Sequence, residues 1–384
     1  MYCRTTIRSF DELRRSVGLK DRIVCLYSGG LDGSYLLLRL RELGYRDVVA
    51  VTVDLGQPIE HEHMASVTRR FDASWSLVEG TDDFVEDFLW PAVFCHGTYL
   101  NGHPVSASLS RPLIVQKTLD RYSDAACVLH TSTSTQNSLR RFDGAIKALG
   151  FTGCFGSPLA HSNEPRSVKL ARLKNAGLVW SGDVTCSVDE NIWAREFESG
   201  EVDNPEDITL DPSRFKWTNR ASDETQRVSV RIDRGIPTAV DGNSLGGAEL
   251  IGKLNRVLGG FGHGRYIWLE EIADGKKVQE VREAPAAHLL LDAYRRLESA
   301  TLRAEEIREK LRVEQVWVRE ASEGRWFGGL RQACQSFCQH LADSVQGEVE
   351  YNVSNVSIVP VSVRARNPRY ITDRDTHEIH IMES

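Results

Sequence analysis

The stretch that decides the fold is Ile23-Val24-Cys25-Leu26-Tyr27-Ser28-Gly29-Gly30-Leu31-Asp32-Gly33-Ser34. Its first five residues form a short apolar run that predicts a buried strand. Residues 34–43 repeat apolar side chains at helical spacing and stop at Gly44, a residue type that favours helix ends. The glycines in between let the backbone turn tightly, and the helix start offers free N–H groups. A strand, a glycine loop and a helix in this order predict a binding site for an anion.

Outward from this loop, predicted strands and helices continue to alternate. Residues 48–54 are rich in β-branched side chains, so they predict a second strand and complete a strand–helix–strand unit of a parallel sheet. Further helices are predicted at residues 61–71, 110–121, 139–149 and 166–176, with strands at 74–78 and 126–130. The first half therefore predicts an α/β fold, in which helices cover a mostly parallel sheet.

The pattern changes near Gly177, and the second half is predicted to be α+β. The predicted elements there are antiparallel strands at 226–233 and 266–272, helices at 246–258 and 287–312, and two or three strands within 348–382, the last of them at 376–382. We divide the chain into an N-terminal extension packed on the first domain (1–19), a nucleotide-binding domain (20–178), and a domain for substrate binding and oligomerisation (179–384).

The composition narrows the possible partners. The 384 residues carry a formal net charge of −7, which argues against nucleic acid as the main partner. No run of 18 apolar residues predicts a membrane span, and the N-terminus lacks the apolar centre of a secretory signal. The eight cysteines include no CxxC pair, so we expect reduced thiols, a cytoplasmic location and no metal held by the protein's own ligands.

The loop also indicates which bond of a nucleotide it serves. It lacks the lysine of a Walker A motif, so it is not suited to transfer of a γ-phosphate. It resembles the SGGxDS loop of the N-type ATP pyrophosphatases, which split ATP between its α- and β-phosphates. The additional residue Gly33 gives the form seen in argininosuccinate synthases, and further matches to that family follow in the same order at residues 54–57, 88–92, 108–112, 187–191 and 264–270. The chain thus resembles a divergent member of the argininosuccinate synthase family.

This resemblance implies a fold and a reaction. The first domain is expected to have the adenine nucleotide alpha hydrolase-like fold, followed by an α+β synthetase domain. In the family, ATP adenylates the ureido oxygen of citrulline and releases pyrophosphate, and the amino group of aspartate then displaces AMP. The expected ligands are therefore ATP with Mg²⁺, aspartate and a carbonyl or ureido acceptor. The loop would stabilise the charge of the departing pyrophosphate.

The resemblance also assigns site residues. The ATP and pyrophosphate contacts fall on Tyr27, Ser28, Gly29, Gly30, Leu31, Asp32, Gly33, Ser34, Val53 and Thr131, with Asp32 and Ser34 as the catalytic residues. The aspartate contacts fall on Thr133, Asn137 and Ser138. The acceptor contacts fall on His103, Ser108, Arg141, Ser187, Glu196, Glu270 and Arg282.

Several of these positions depart from the family. Ser138 stands where the family has Asp, and His103 and Arg282 each replace a Tyr, while Glu196 replaces a Ser. A buried charge without a partner costs roughly 3–5 kcal/mol. Glu196 and Arg282 must therefore either pair with each other or face a substrate whose charges citrulline lacks. We predict an acceptor other than citrulline.

Other readings stay open on the sequence alone. The chain could act on citrulline itself, or it could bind nucleotide without turnover. It could also be another enzyme with the same loop, such as a tRNA thiolase, an NAD synthetase-like amidase or an asparagine synthetase-like domain. The thiolase reading lacks its expected CxxC or basic face. We also predict a homo-oligomer, with a dimer favoured over the family's tetramer, because residues 376–382 end the chain as a predicted strand.

Overall fold

A computed structural model describes residues 5–162, 164–180, 186–198, 200–219, 224–272 and 275–383. The strands are β1 (Thr6–Ile7), β2 (Ile23–Leu26), β3 (Val48–Asp54), β4 (Ser74–Glu79), β5 (Thr98–Tyr99), β6 (His103–Pro104), β7 (Cys127–Leu129), β8 (Cys154–Gly156), β9 (Ser187–Glu190), β10 (Arg195–Glu198), β11 (Gln226–Asp233), β12 (Ile236–Val240), β13 (Asn243–Ser244), β14 (Arg265–Glu271), β15 (Lys277–Glu283), β16 (Gly347–Val353) and β17 (Ile358–Ala365). The α-helices are α1 (Phe10–Ser16), α2 (Leu31–Leu43), α3 (His61–Arg70), α4 (Thr81–Phe84), α5 (Trp90–Phe94), α6 (Ala107–Arg121), α7 (Asn137–Ala148), α8 (Arg166–Asn175), α9 (Gly247–Gly260), α10 (Pro285–Thr301), α11 (Ala304–Ser322), α12 (Gly329–Ala342) and α13 (Arg374–Glu383). A π-helical turn (Val85–Leu89) joins α4 to α5, and 3₁₀ turns lie at Gly200–Val202 and Pro212–Arg214.

A six-stranded parallel sheet organises the first half, as predicted. Its order is β1-β8-β7-β2-β3-β4, and every neighbouring pair is parallel. The chain runs outward from β2 through β3 to β4 and later returns to β7 on the other side of β2. Ligands of such sheets bind where the strand order reverses, beyond the carboxyl ends of the strands. The loops after β2 and β7 meet at this point of reversal.

The N-terminal segment contributes more than the predicted packing. Phe10, Leu13 and Val17 are buried, as their spacing indicated, and the Ser9 side chain caps α1. Residues Thr6–Ile7 also form β1, which pairs in parallel with β8 at the edge of the sheet. Part of the predicted extension is therefore a strand of the main sheet.

Two antiparallel sheets organise the second half. A four-stranded sheet has the order β14-β15-β10-β9, and a five-stranded sheet has the order β13-β12-β11-β16-β17. One continuous apolar core contains Val24 and Val128 of the first half together with Tyr294 and Val353 of the second. The division at 178/179 stays a prediction: the two halves share this core, although a second buried cluster, which includes Ile23 and Leu36, lies wholly within the first half.

Two predictions of secondary structure in the second half are wrong, and one helix was missed. The helix predicted at 287–312 is two helices, α10 and α11, because Leu302 and Arg303 have extended backbone angles. Residues 376–382 lie in the helix α13 and not in a strand, and residues 348–382 therefore hold two strands, β16 and β17. Helix α12 was not predicted. Over the described part of the chain, no helix is long and apolar enough to cross a membrane.

Candidate active site

The loop after β2 has the shape that its sequence predicts. Gly29 takes a positive φ of 79°, and no side chain caps α2 at Gly30. The Ser34 hydroxyl donates to the carbonyl oxygen of Gly30 at 3.0 Å and lies 3.3 Å from the Tyr27 hydroxyl. The bond to Gly30 fixes the turn, and the first N–H groups of α2 are left for an anion. The predicted contact Ser28 lies in this loop, and the predicted contacts Leu31 and Gly33 lie in the first turn of α2.

A lysine that the sequence analysis missed lies beside this loop. Lys169 of α8 is buried, and its Nζ donates to the Oδ1 atom of Asp32 at 2.6 Å. This places a cation at the first turn of α2, where the negative charge of a phosphate would collect. The lysine is 137 residues from Asp32 in sequence, so no local motif could have indicated it.

The segment after β7 lies at the same point of reversal. Gln136 precedes α7, its side-chain oxygen accepts from the Thr133 N–H at 3.0 Å, and its amide donates to Glu198 at 3.2 Å. The hydroxyls of Thr133 and Thr135 lie 3.1 Å apart. Side-chain hydrogen bonds thus hold the segment where the family has glycines, and Thr131 is half-buried beside it.

Two predicted ligand contacts, Val53 and Ser138, are engaged by other residues of the protein. The Val53 side chain is buried, and its carbonyl accepts from the Gln57 side chain at 3.0 Å, so this residue lines the core behind the loop. The Ser138 hydroxyl accepts from Arg111 at 3.4 Å, and Arg111 also contacts Asp189. The predicted aspartate contact Ser138 therefore borders an ion pair that was not predicted.

One face of the four-stranded sheet collects most predicted acceptor residues. Glu196 lies opposite Asp189 on one neighbouring strand and opposite Arg282 on the other. Side chains alternate between the two faces of a sheet. The cross-strand register therefore places the following side chains on the same face as Glu196: Ser187, Asp189, Glu198, Tyr266, Trp268, Glu270, Glu280 and Arg282. We call this surface the acidic face.

Glu196 and Arg282 pair with each other, which is the first of the two predicted alternatives. The Arg282 Nε atom lies 2.9 Å from Glu196 Oε1, and its Nη2 atom lies 3.0 Å from Glu270 Oε2. Glu280 also contacts Arg282 and was not predicted. One buried arginine thus faces three buried carboxylates, so the mere presence of two new charges does not require a charged substrate.

Residues of the first half close over the acidic face. The Arg141 guanidinium donates to Glu270 at 2.7 Å and to the Ser322 carbonyl at 3.0 Å, and the Asn137 amide donates to Glu270 at 2.9 Å. The Ser108 hydroxyl lies 3.4 Å from that of Ser322. The structure therefore brings the predicted contacts Ser108, Asn137 and Arg141 to one place, together with the end of α11.

The charges of the acidic face shift the pKa values of its members. Burial raises the pKa of Glu196 to about 7 and that of Glu280 to about 8, although Arg282 opposes both shifts. Burial opposes the ionised form of Glu270 too, but Arg141 and its other neighbours hold the pKa of Glu270 well below its usual value. Burial and Arg282 lower the pKa of His103 to about 4, so its ring is neutral at pH 7.

Helix α7, which carries Arg141, approaches the turn after α11 with no room for a side chain. A Cβ atom on Gly144 would lie 2.2 Å from the carbonyl oxygen of Gly324. We expect Gly144→Ala to cost about 1–3 kcal/mol of unfolding free energy and to raise the KM for the acceptor, because α7 must move. Urea unfolding and steady-state kinetics measure both effects. Gly260→Ala is the control, since no heavy atom lies within 4 Å of its Cβ position. Equal stabilities of the two variants would contradict the prediction.

Known proteins match nearly the whole chain. The model of the arginosuccinate synthase N-terminal HUP domain matches residues 22–175, and the model of the arginosuccinate synthase C-terminal domain matches residues 186–378. Argininosuccinate synthase of Methanopyrus kandleri is 35% identical over 365 residues, covering 92% of this chain and 91% of its own length. That of Pyrococcus furiosus is 33% identical, covering 93% and 88%.

A solved structure also matches part of the chain. It is the NH3-dependent NAD synthetase from Campylobacter jejuni, with 18% identity and a TM-score of 0.29, covering 44% of this chain and 68% of that one. This likeness is too slight to bear on the function.

Proposed function

The chain belongs to the argininosuccinate synthase family, and on that premise we propose that it is an ATP-dependent, AMP-forming carbon–nitrogen ligase that uses aspartate. The acceptor's carbonyl oxygen attacks the α-phosphorus of ATP, and pyrophosphate leaves. The aspartate amino group then attacks the activated carbon, AMP leaves with that oxygen, and the nitrogen loses a proton. The observation that carries the proposal is the loop of residues 27–34, placed where the sheet reverses and beside Lys169.

The chain's own groups fit the first step. The free N–H groups of α2 and the Lys169 ammonium are the donors and the charge that a departing pyrophosphate needs. We propose that Mg²⁺ arrives bound to ATP, because the described loop offers it one carboxylate, Asp32, and Mg²⁺ keeps several waters and phosphate oxygens as ligands. When bound, the ion would neutralise phosphate charge.

Aspartate and the acceptor would meet between the two halves. Arg141 and Asn137 both reach Glu270 from α7, and Ser108 lies one residue inside the start of α6. Most of the rate would come from holding the activated carbon near the aspartate nitrogen, since no covalent intermediate with the protein is needed. We propose that the acceptor is not citrulline, because Glu196 and Arg282 on the acidic face, and His103 beside it, replace the family's side chains.

The direct test is pyrophosphate release from ATP and Mg²⁺ with aspartate and a panel of ureido compounds. We expect release that needs both amino acid and acceptor, and a product whose mass is that of the two joined with loss of water. Release without aspartate, or with ammonia or tRNA in its place, would favour another enzyme with this loop. ATP binding without any release would favour a non-catalytic homologue, and efficient use of citrulline would refute the altered acceptor.

We also propose that the enzyme is a homo-oligomer in the cytoplasm, where ATP and aspartate are abundant. The predicted preference for a dimer rested on a C-terminal strand, and α13 removes that argument. Ile381 and Met382 of α13 are exposed apolar residues, which supports packing on a second copy. Light scattering decides the state: a tetrameric mass would refute the dimer, and a monomeric mass would refute the oligomer.

A further inference from the structure

The acidic face carries more negative than positive charge. Five carboxylates lie on it: Asp189, Glu196, Glu198, Glu270 and Glu280. Three guanidiniums contact carboxylates of this set: Arg111, Arg141 and Arg282. Two carboxylates are therefore left without a matching cation. Buried carboxylates take up protons when cations are short, and the raised pKa values of Glu196 and Glu280 agree with this shortage.

Among the described residues, the acidic face has no cation left unpaired that could bind a ligand's carboxylate. Arg111 is paired with Asp189, Arg141 with Glu270, and Arg282 with Glu196, Glu270 and Glu280. The described charged groups of this face thus include no guanidinium without a carboxylate partner. A carboxylate brought here would meet like charge, which costs binding energy. The face therefore disfavours a zwitterion such as citrulline in favour of a cation.

Unpartnered acceptor atoms point to where a cation would bind. The His103 side chain is 99% buried, and neither of its ring nitrogens has a hydrogen-bond partner among the described residues. The Oε2 atom of Glu270 lies 3.6 Å from its Nε2 atom. The Oδ1 atom of Asn137 is also buried without a partner. Glu196 Oε1 lies 2.9 Å from Arg282 Nε but is not aligned with it for a hydrogen bond.

A metal ion fits these atoms less well than an ammonium group does. Single ligand atoms of His103, Glu270 and Glu280 lie within 4.8 Å of one another. However, the Arg282 guanidinium contacts both of those glutamates, so a divalent ion would be placed against a fixed positive charge. An ammonium carries one charge and three N–H donors, which matches a neutral imidazole and shared carboxylates.

We propose that the acceptor is a ureido compound that carries an ammonium group and no carboxylate, and that this ammonium binds against His103 and Glu280 on the acidic face. The inference rests on the proposed ligase function and names its substrate class. In chemical terms the reaction that supplies the substrate is carbamoylation of one amine of a diamine. The product would be a guanidino compound that carries the succinate of aspartate and a free amine.

The test compares kcat/KM for pyrophosphate release with N-carbamoylputrescine, citrulline, N-acetylcitrulline and butylurea, at fixed ATP, Mg²⁺ and aspartate. These probes share the ureido group and differ in charge. We expect N-carbamoylputrescine to exceed citrulline by at least about tenfold, one well-placed charge being worth about that much. The anionic N-acetylcitrulline should be the poorest. Preference for citrulline or N-acetylcitrulline would overturn this inference and leave the ligase proposal standing.

Isosteric variants locate the ammonium. Glu280→Gln should lower kcat/KM for N-carbamoylputrescine about tenfold and leave that for butylurea within about twofold. Glu348→Gln on β16 is the matched control, because Glu348 pairs with Arg231 in the other sheet. Equal losses with both probes would overturn the placement. If no ureido compound supports release, the ligase proposal fails, and calorimetric titration of N-carbamoylputrescine decides the inference separately: no binding overturns it.

Discussion

Ser34→Ala is expected to lower ATP-dependent pyrophosphate release by roughly 10²–10³-fold, the usual loss when one group that serves a developing anion is removed. The Ser34 hydroxyl bonds Gly30 and lies beside the Tyr27 hydroxyl at the first turn of α2. Alanine removes the bond that fixes the glycine turn and a hydroxyl at the place where pyrophosphate would gain charge. Initial rates with saturating ATP, aspartate and acceptor measure the effect.

Two further variants make this result specific. Ser66→Ala removes an exposed serine from the neighbouring helix α3 and should leave the rate unchanged. Asp32→Asn should give a loss like that of Ser34→Ala, because it removes the loop carboxylate that Lys169 contacts. Wild-type rates in both loop variants would show that residues 27–34 are not the site of ATP cleavage. The thermal melt of Ser34→Ala should stay close to that of the wild type, since this change costs about one hydrogen bond.

Arg282→Ala is expected to have the largest effect on stability, about 3–5 kcal/mol of unfolding free energy at pH 8. The substitution leaves Glu196, Glu270 and Glu280 buried with one guanidinium, that of Arg141, among them. Removing one partner of a buried ion pair costs more than the pair contributes, because the remaining charge has lost its solvent as well. Urea unfolding measures the difference.

The deficit of this variant should depend on pH in a defined direction. The pKa values of Glu196 and Glu280 are already raised above those of free carboxyls, and loss of Arg282 raises them further. When the pKa of a carboxyl is higher in the folded than in the unfolded state, the folded protein loses stability as the pH rises from the lower pKa to the higher one. The deficit should therefore shrink between pH 8 and pH 5.5, where the glutamates bind protons.

Matched variants distinguish this explanation from a general loss of packing. Arg231→Ala removes an exposed arginine with one surface partner and should cost at most about 1 kcal/mol. Combining Arg282→Met with Glu196→Gln and Glu280→Gln should recover much of the loss. A deficit for Arg282→Ala that is the same at both pH values would contradict the charge explanation.

The sequence predicted those structural features that depend on residues close together in the chain. The apolar run at 23–27, the glycines after it and the helical spacing that follows are local, and the structure has β2, the turn at Gly29 and α2 there. Helix ends were less secure: Leu302 lies in a continuous apolar pattern, yet the backbone breaks there, because α11 turns to pack its own buried face.

What the sequence could not predict depends on strand register. Glu196 and Arg282 are 86 residues apart, and only the pairing of β10 with β15 shows that they are neighbours. Once that register is known, the period of two also places Glu280 and Glu198 beside them. The alternation of polar and apolar side chains in residues 277–283 was the one sequence signal that could have indicated Glu280. No sequence signal indicated Lys169 or Ser322, because their partners lie on other elements.

The position of β1 has a consequence for how the chain is made. Residues Thr6–Ile7 are synthesised long before their partner β8, which ends at Gly156, and the core that holds Val24 also needs Val353. Strand β1 must therefore wait for about 150 residues of nascent chain before it can pair, and the shared core stays open until Val353 has been made. An apolar surface exposed for that long is a target for chaperones. Separate expression of the two halves should accordingly yield aggregates, whereas co-expression gives each half the surface it needs.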